Sequence, residues 1–465
     1  MKIGAIILGA GQGTRMKSEI PKVMHQVGFL PMIDYPVEAS LNLGCSPVVV
    51  VVGYKKEMVE AHLREKYGSG VVFAYQEEQL GTADAVRRGE PLLRDVDSVL
   101  ILYGDVPLIR EELLKRLIEI HKAHTPLISM VVSEVDDPKG YGRIIRDEAG
   151  MIVAIREDKD CSEKERKIKE INPGIYVIDK EFLYSNLSRI DNLNMQREFY
   201  LTDLIEIASK ESEIKWIKED FAYLLGVNTR VELEIANKVI FRRNCERWME
   251  KGVTILDRDS VLLSSEILDI GKDTVIEPNV TIKGKSKIGK NVYIERGAII
   301  EDSTVEDNVR IRAYSIIEES HIKEGAQIGP FARLRPKSVV GVKAKVGNFV
   351  ELKKTILGDG SKANHLSYLG DGIIGKNVNI GAGTIFCNYD GFGKYQTILE
   401  DEVFVGSDSQ LVAPVKIGKG TYIGTGSTVT EDAPSDSLVI ARARQVTKEG
   451  YAKRLKERLK KRAGK

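Results

Sequence analysis

The chain has 465 residues, and its 69 Lys plus Arg balance 68 Asp plus Glu to a formal net charge of +1. That length exceeds what one ordinary core holds and predicts two domains, while the balanced charge excludes a general field for nucleic acid or a membrane surface. The four cysteines, Cys45, Cys161, Cys245 and Cys387, are scattered without any C-x-x-C spacing, which predicts free thiols in a reducing compartment.

The first apolar run, Ile3 to Leu8, follows a single charge and passes straight into a glycine-rich loop, so it reads as a first strand and not as a signal peptide. No stretch reaches the roughly 20 apolar residues of a membrane span, and the expectation is a cytoplasmic protein without membrane insertion. Residues 1–230 alternate short apolar runs with helical patterns, as in a largely parallel sheet packed between helices, with Val48 to Val52, Val71 to Phe73, Val99 to Tyr103 and Leu127 to Val132 as buried strands. In such α/β sheets ligands bind at the carboxyl edge. Residues 231–251 place Leu233, Ala236, Val239 and Ile240 among charges and read as a linker helix.

From residue 252 to 465 the rhythm becomes a hexapeptide repeat. Ile270, Ile276, Ile282, Ile288, Ile294 and Ile300 fall every sixth residue, and further frames run through Ile328, Leu334, Val340, Val346 and Leu352 and through Val405, Leu411, Ile417, Ile423 and Val429. One aliphatic side chain per six residues points inward from each short strand, with Gly, Asn and Asp serving the corners, which predicts a parallel β-helix. Breaks in the frame near Thr304 to Ile311 and Thr355 to Tyr368 are expected to mark bulges or loops leaving the prism. The tail from Tyr451 to Lys465 carries eight basic residues and one acidic and reads as a solvated or partner-packed helix.

Two groups of motifs carry chemistry. Leu8-Gly9-Ala10-Gly11-Gln12-Gly13-Thr14-Arg15-Met16, followed by Pro21-Lys22, comes directly after the first strand. Glycines there let backbone amides approach phosphate oxygens, and Arg15 and Lys22 would neutralise a polyphosphate. No Gly-Lys-Ser/Thr closes the loop, so it is not a P-loop, nor is it a dinucleotide fingerprint. The strand Val99 to Leu102 runs into Tyr103-Gly104-Asp105, which sets a carboxylate at the sheet's carboxyl edge. In the repeat region the dense segments are Phe331-Ala332-Arg333-Leu334-Arg335-Pro336, Gly347-Asn348-Phe349-Val350-Glu351-Leu352-Lys353-Lys354, His365-Leu366-Ser367-Tyr368-Leu369-Gly370-Asp371, Asn379-Ile380-Gly381-Ala382-Gly383-Thr384 and Cys387-Asn388-Tyr389-Asp390-Gly391.

The first group resembles the sugar-nucleotide pyrophosphorylases, whose signature is G-x-G-T-R-M with a downstream Pro-Lys. The two groups together resemble, along nearly the whole chain, the bacterial bifunctional N-acetylglucosamine-1-phosphate uridyltransferase and glucosamine-1-phosphate acetyltransferase family. That resemblance implies a Rossmann-like nucleotidyltransferase domain joined to a left-handed parallel β-helix, and a homotrimer built through the helix. It implies that Leu8, Gly9, Ala10, Gly11, Lys22, Tyr103 and Gly104 line a UTP site, with Arg15 and Lys22 catalytic and with Gln76, Gly81 and Thr82 reading uracil. Asp105 and Asn228 would hold magnesium, and Gly142, Glu157 and Asn172 the sugar. In the second domain Arg335, Lys353 and Lys394 would grip the phosphate of glucosamine-1-phosphate. Tyr368, Asn379, Asn388 and Tyr389 would position sugar and thioester, Ala382, Ser407, Thr425 and Arg442 would hold acetyl-coenzyme A, and His365 would be the general base. Gly9, Pro173 and Leu225 depart from the family pattern, in which Ala is commoner at the first position and an acidic residue frequent at the third. Two other readings use the same domain pair: a single-activity nucleotidyltransferase whose helix serves assembly, and a non-catalytic exchange subunit acting by protein contact.

Overall fold

The computed structural model describes residues 1–464. The chain divides into two compact units, Met1–Arg243 and Asn244–Lys465, and the Arg230–Met249 helix crosses that boundary. Its first part belongs to unit 1, where Asn237 accepts from Gly28 N and Arg243 donates to Leu108 O. Asn244 and Cys245 belong to unit 2, bonding Leu263 O and Val261 O.

Unit 1 is built on a ten-stranded sheet whose order runs Val71–Tyr75, Val48–Val52, Ile3–Leu8, Ser98–Tyr103, Tyr176–Asp179, Ile128–Glu134, Glu170–Asn172, Gly142–Arg146 and Ile152–Arg156, with Lys215–Lys218 beside Ile128–Glu134. The first four strands are parallel, and they are the near-continuous Val, Ile and Leu runs expected of strands covered on both faces. From Tyr176–Asp179 onward the pairings along that order turn antiparallel, with only Lys215–Lys218 running parallel to Ile128–Glu134, so the sheet is mixed and the largely parallel expectation fails for its second half. A run such as Tyr176-Val177-Ile178, fully buried, gives no alternation from which strand direction could be read.

Helices cover both faces. On the Glu111–His124 helix, the buried His121 ring lies between the Ser98 hydroxyl at 3.2 Å and the Ser129 hydroxyl at 3.0 Å. Burial pushes its pKa down to about 4, with the Asp179 carboxylate acting weakly the other way.

Unit 2 is a three-sided left-handed prism of parallel sheets with eleven, ten and nine strands. Most strands are two or three residues long, and their inward aliphatics stack from coil to coil, as in Ile276 on Ile294 on Ile311 on Ile328. Next to them run buried hydroxyls. Ser303 Oγ donates to Glu301 O at 2.7 Å and accepts Ser320 N at 3.0 Å, and Ser303 N in turn donates to Ser286 Oγ.

The frame breaks near residues 304 and 355 are not loops. Ile300 pairs with Ile317 and Leu352 with Leu369 without any excursion; these coils simply drop one corner residue. The shortened corners put Asp302, Glu319, Lys354 and Asp371 in the left-handed region, with φ between 39° and 51°. The true excursion lies elsewhere: Ile374 pairs with Leu399 and Ile380 with Val405, so one coil carries the extra residues of a loop around Tyr389 to Lys394. Glycines that follow an aliphatic answer close stacking of coils more than corner geometry. A Cβ on Gly381 would meet Ser407 N at 2.5 Å, and Gly381 is not in the left-handed region.

Two expectations follow. An unfolded chain protonates His121 near 6.5 and the folded one only near 4, so the unfolded state binds more protons between those values. The stability contributed by neutral His121 is complete above about pH 6.5 and is lost as pH falls toward 4. The urea midpoint followed by circular dichroism at 222 nm should fall across that window, and His121→Leu, weaker overall, should lack this one-proton slope. In unit 2, Ser303→Ala strands the buried Ser320 N–H without an acceptor and should cost about 1–3 kcal/mol, read as a lower urea midpoint of the β-helix transition.

Candidate functional sites

In unit 1 the carboxyl ends of Ile3–Leu8 and Ser98–Tyr103 lie side by side, Leu8 opposite Tyr103. The order of the parallel strands reverses there, which is where such sheets open a crevice. A cleft of about 480 Å³ occupies it, lined by Leu8, Gly9, Ala10, Gly11, Arg15, Lys22, Gln76, Gly81, Thr82, Tyr103, Asp105, Glu157 and Asn228 among others. A smaller cavity of about 150 Å³ shares Tyr103, Asp105, Glu157 and Asn228 with it and adds Gly142 and Asn172. Gly104 lines neither: its missing side chain makes room for Ile33 Cδ1, which a Cβ would meet at 2.6 Å.

At the centre the Lys22 ammonium donates to both Asp105 Oδ2 and Asn228 Oδ1, the latter at 3.1 Å, and Arg15 donates to the same Asn228 oxygen at 2.8 Å. Two oxygens and two cations from distant parts of the chain therefore meet at one point. The Gly9 amide is taken by Val51 O. A Cβ on Gly11 would stand in open space, so no protein atom requires glycine there; a closely approaching ligand would.

Gln76 is buried, and its Nε2 donates to Gly81 O and Asp84 Oδ2, both at 3.0 Å, which leaves the amide oxygen as the uncommitted end. Gly81, at φ 117°, faces Phe199 so closely that a Cβ would lie 2.5 Å from Phe199 O. Ala83 N and Leu201 N complete this seam by donating to Phe199 O and Thr82 Oγ1. The seam carries Gln196, Glu198 and Tyr200 into the cleft wall. None of the three was expected from sequence, because only the long-range pairing of Gly81 with Phe199 puts them there.

On the sugar-sized side, burial raises the Glu157 carboxyl above its ordinary range, with Asp203, Asp160 and Asp158 adding to it and the Thr202 hydroxyl, donating at 2.9 Å, opposing it. Asn172 is committed at both ends of its amide, donating to the Tyr176 hydroxyl and accepting from Gly174 N at 3.1 Å. Gly142 faces Glu157, whose carboxylate oxygens a Cβ would approach to 3.5 and 3.6 Å.

Unit 2 sorts its predicted residues into two groups flanking one sheet. Along one corner of the prism stand His365, Ala382, Ser407, Thr425 and Arg442. Successive coils link them, Gly383 N to Leu366 O, Asp408 N to Ala382 O, Gly426 N to Ser407 O, and Arg442 to Thr425 O at 2.9 Å. His365 Nδ1 lies 2.8 Å from Asn348 Oδ1 one coil below. An amide oxygen only accepts, so Nδ1 carries the proton and Nε2 is the basic nitrogen.

At the sheet's other end stand Arg335, Lys353, Asn388 and Lys394, and the hydroxyl of Tyr368, which opens the Tyr368–Gly370 strand, reaches toward them. The Lys353 ammonium is held below its ordinary pKa by the Lys394 side chain against it, with burial and Arg335 adding. Arg335 pairs with Glu351 at 3.0 Å, and Asn388 donates to Asp371 Oδ2 at 2.6 Å. The Tyr368 hydroxyl and the Asn388 amide both close over Gly370, where a Cβ would meet them at 2.6 and 2.7 Å. Asn379 is set apart from this group, on a strand of a different sheet. Tyr389 sits exposed on the excursion loop, bonded to Gly391 O. Asn348, Glu351 and Asp371 belong to the same motif segments but carried no assigned role in the sequence reading.

A nucleotidyl transferase profile matches residues 4–248. Bacterial transferase hexapeptide and succinyl-transferase hexapeptide profiles match residues 269–302 and 396–431, and a GMPPB C-terminal domain profile matches 316–412. Relatives described as bifunctional protein GlmU include one from Sorangium cellulosum, 46% identical and covering 98% of this chain and 97% of its own. Others come from Caldanaerobacter subterraneus, 47% identical over 98% of both chains, and Geotalea daltonii, 48% identical over 97% of this chain and 98% of its own. The chain thus belongs to the bifunctional GlmU family, a uridyltransferase and an acetyltransferase joined in one polypeptide for the synthesis of UDP-N-acetylglucosamine.

Proposed function

We propose that the unit 1 cleft binds UTP beside N-acetylglucosamine-1-phosphate, and that the flanked sheet of unit 2 makes this acceptor by acetylating glucosamine-1-phosphate from acetyl-coenzyme A. The observation that carries the first assignment is the meeting of Lys22, Arg15, Asp105 and Asn228 at the reversal of strand order. Transfer from a polyphosphate is chiefly positioning and charge neutralisation, and this group supplies both.

The pair Asp105 and Asn228 fits magnesium. Their oxygens already converge on a cation, the Lys22 ammonium. Among the described residues no three His, Cys, Asp or Glu side chains gather into a metal cage, so substrate phosphates and water would complete the shell, as that ion favours. When bound, it would neutralise charge on the phosphates. Arg15 and Lys22 hold the triphosphate against the open face of Gly11, and the Gln76 oxygen accepts from the uracil ring. Gly142, Glu157 and Asn172 form the sugar wall. An oxygen of the sugar phosphate attacks the α-phosphorus of UTP in line, the bond to the bridging oxygen breaks, and pyrophosphate leaves with that electron pair.

In unit 2 three cations, Arg335, Lys353 and Lys394, crowd one another, and a phosphate dianion relieves the crowding. His365 Nε2 takes a proton from the glucosamine ammonium. The freed amine attacks the thioester carbonyl carbon, the carbon–sulfur bond breaks, and the coenzyme sulfur leaves as the thiol, carrying off the second proton that the nitrogen loses in becoming an amide. Ala382, Ser407, Thr425 and Arg442 form a column along which the coenzyme lies, while Tyr368, Asn388 and Tyr389 hold the sugar and thioester, joined by Asn379 from the neighbouring sheet.

The β-helix assembles as a homotrimer in this reading. Tyr314, Phe331 and Phe349 stack in an exposed row with ring centroids 5.4 Å apart, Leu366 continues it beside His365, and Phe392 on the excursion loop is 99% exposed. Apolar surface of this extent is what a subunit contact covers. No helix among the described residues is long and apolar enough to cross a membrane.

Asp105→Ala should abolish pyrophosphate release while free-thiol release from acetyl-coenzyme A persists; equal loss of both in the folded variant would overturn the two-site assignment. His365→Ala should slow thiol release by roughly 10²- to 10⁴-fold, recovering partly at high pH as free amine accumulates, and should leave uridylyl transfer to N-acetylglucosamine-1-phosphate unchanged. Acetylation near the wild-type rate across pH would remove His365 as the base. Light scattering of the full chain should give a trimer mass, and a monomer that acetylates would overturn the assembly.

A further inference from the structure

Asn228 is held from outside the cleft. Its side-chain Nδ2 donates to Gly226 O at 3.3 Å, which turns Oδ1 toward Lys22 and Arg15. Val227 N donates to Asp105 O at 2.9 Å, tying the two cation-facing segments together through the backbone. On the other side, one oxygen of Glu232 accepts Asn228 N at 2.8 Å, Thr229 N at 2.7 Å and the Thr229 hydroxyl at 3.0 Å, and Glu232 N donates back to Thr229 Oγ1 at 3.2 Å. The Thr229 and Glu232 exchange is a capping box at the start of the Arg230–Met249 helix. The bond to Asn228 N exceeds what the box requires, because it captures the residue before the cap. Glu232 lines neither cavity of the site.

We infer that Glu232 is a positioning residue for uridylyl transfer: it fixes the backbone of Asn228 so that the amide oxygen stays beside the Asp105 carboxylate, where a divalent cation on the nucleotide can share both. The inference rests on the reading of Asp105 and Asn228 as the cation-holding pair. An acceptor three residues into a rigid helix, bonded to the amides of Asn228 and its neighbour, is the arrangement by which outer groups tune metal affinity, typically by about 10- to 100-fold. With Glu232 removed, the Val227 and Gly226 bonds remain, so the pair should loosen without scattering.

The test uses the full chain and three variants, Glu232→Ala, Glu232→Gln, which still accepts through its amide oxygen, and Asn228→Ala. Two quantities are read: the magnesium concentration giving half-maximal pyrophosphate release, and binding of the manganese–UTP complex without acceptor sugar, by water-proton relaxation enhancement. Glu232→Ala should raise the first and weaken the second by roughly tenfold or more, Glu232→Gln should restore most of both, and thiol release by unit 2 should be unchanged. A Glu232→Ala protein that melts earlier but keeps wild-type magnesium dependence and manganese–UTP binding would reduce Glu232 to a helix cap and overturn the inference. Unchanged manganese–UTP binding in Asn228→Ala would instead overturn the metal reading of the pair. Should Glu232→Ala fail to fold, Glu232→Asp, too short to reach Asn228 N and Thr229 N together, carries the same two readouts with the same deciding outcomes.

Discussion

A single ammonium, that of Lys22, stands between the Asp105 carboxylate and the Asn228 amide oxygen, and much of unit 1 serves to keep those three groups together. They come from opposite ends of the unit, so no local geometry can join them. Asp105 is delivered by a strand that pairs in register with the first strand, Lys22 by the turn after the glycine loop, and Asn228 by the last loop before the long helix. Lys22 and Asp105 are both largely removed from solvent, where an unpartnered charge would be costly. In the free protein each therefore satisfies the other, and a nucleotide would exchange partners with an existing pair without exposing a bare charge.

Unit 2 solves a different problem. A coil only a few residues wide has no room for a wide core, so stability accumulates by repetition, each coil resting on its neighbours. The aliphatic columns supply buried apolar area, and the serine and threonine hydroxyls at the corners take the backbone groups that a turn cannot pair with another strand. The polar residues proposed to act on substrates are then set on the outside, along the prism's edges. Residues far apart in sequence, such as Asn348 and Arg442, line a common edge because each coil returns the chain to the same corner.

Local pattern and chain order carried a large part of this into the sequence. The glycine loop with Arg15 and Lys22, the strand that runs out just before Asp105 and the six-residue rhythm are short-range signals, and each names its own structural context. What stayed hidden depends on long-range geometry or on counting. Glu198 and Tyr200 reach the cleft only through the seam of Gly81 with Phe199, and Glu232 looks like any acidic residue in a first helical turn. The antiparallel half of the sheet left no trace, because buried strands read alike in either direction. A missing corner residue and an outward loop both break a six-residue frame, which is why residues 304 and 355 suggested bulges or loops, while the excursion at Tyr389 to Lys394 begins inside a motif of polar and aromatic residues that carries no six-residue frame to break. Gly104, expected at the nucleotide site, also meets a packing requirement that the sequence did not announce, the approach of Ile33.

The lengthened coil shows what kind of change the prism tolerates. Ile374 still meets Leu399, Ile380 meets Val405 and Phe386 meets Leu411, so an insertion on the outside of one turn leaves the register of all three sheets untouched. Closing a longer loop costs little extra entropy, whereas one residue added inside a two-residue strand would turn every following side chain to the wrong face. Sequence drift in such a protein is thereby channelled: its coils can gain or lose residues at the edges, while the columns within hold their count.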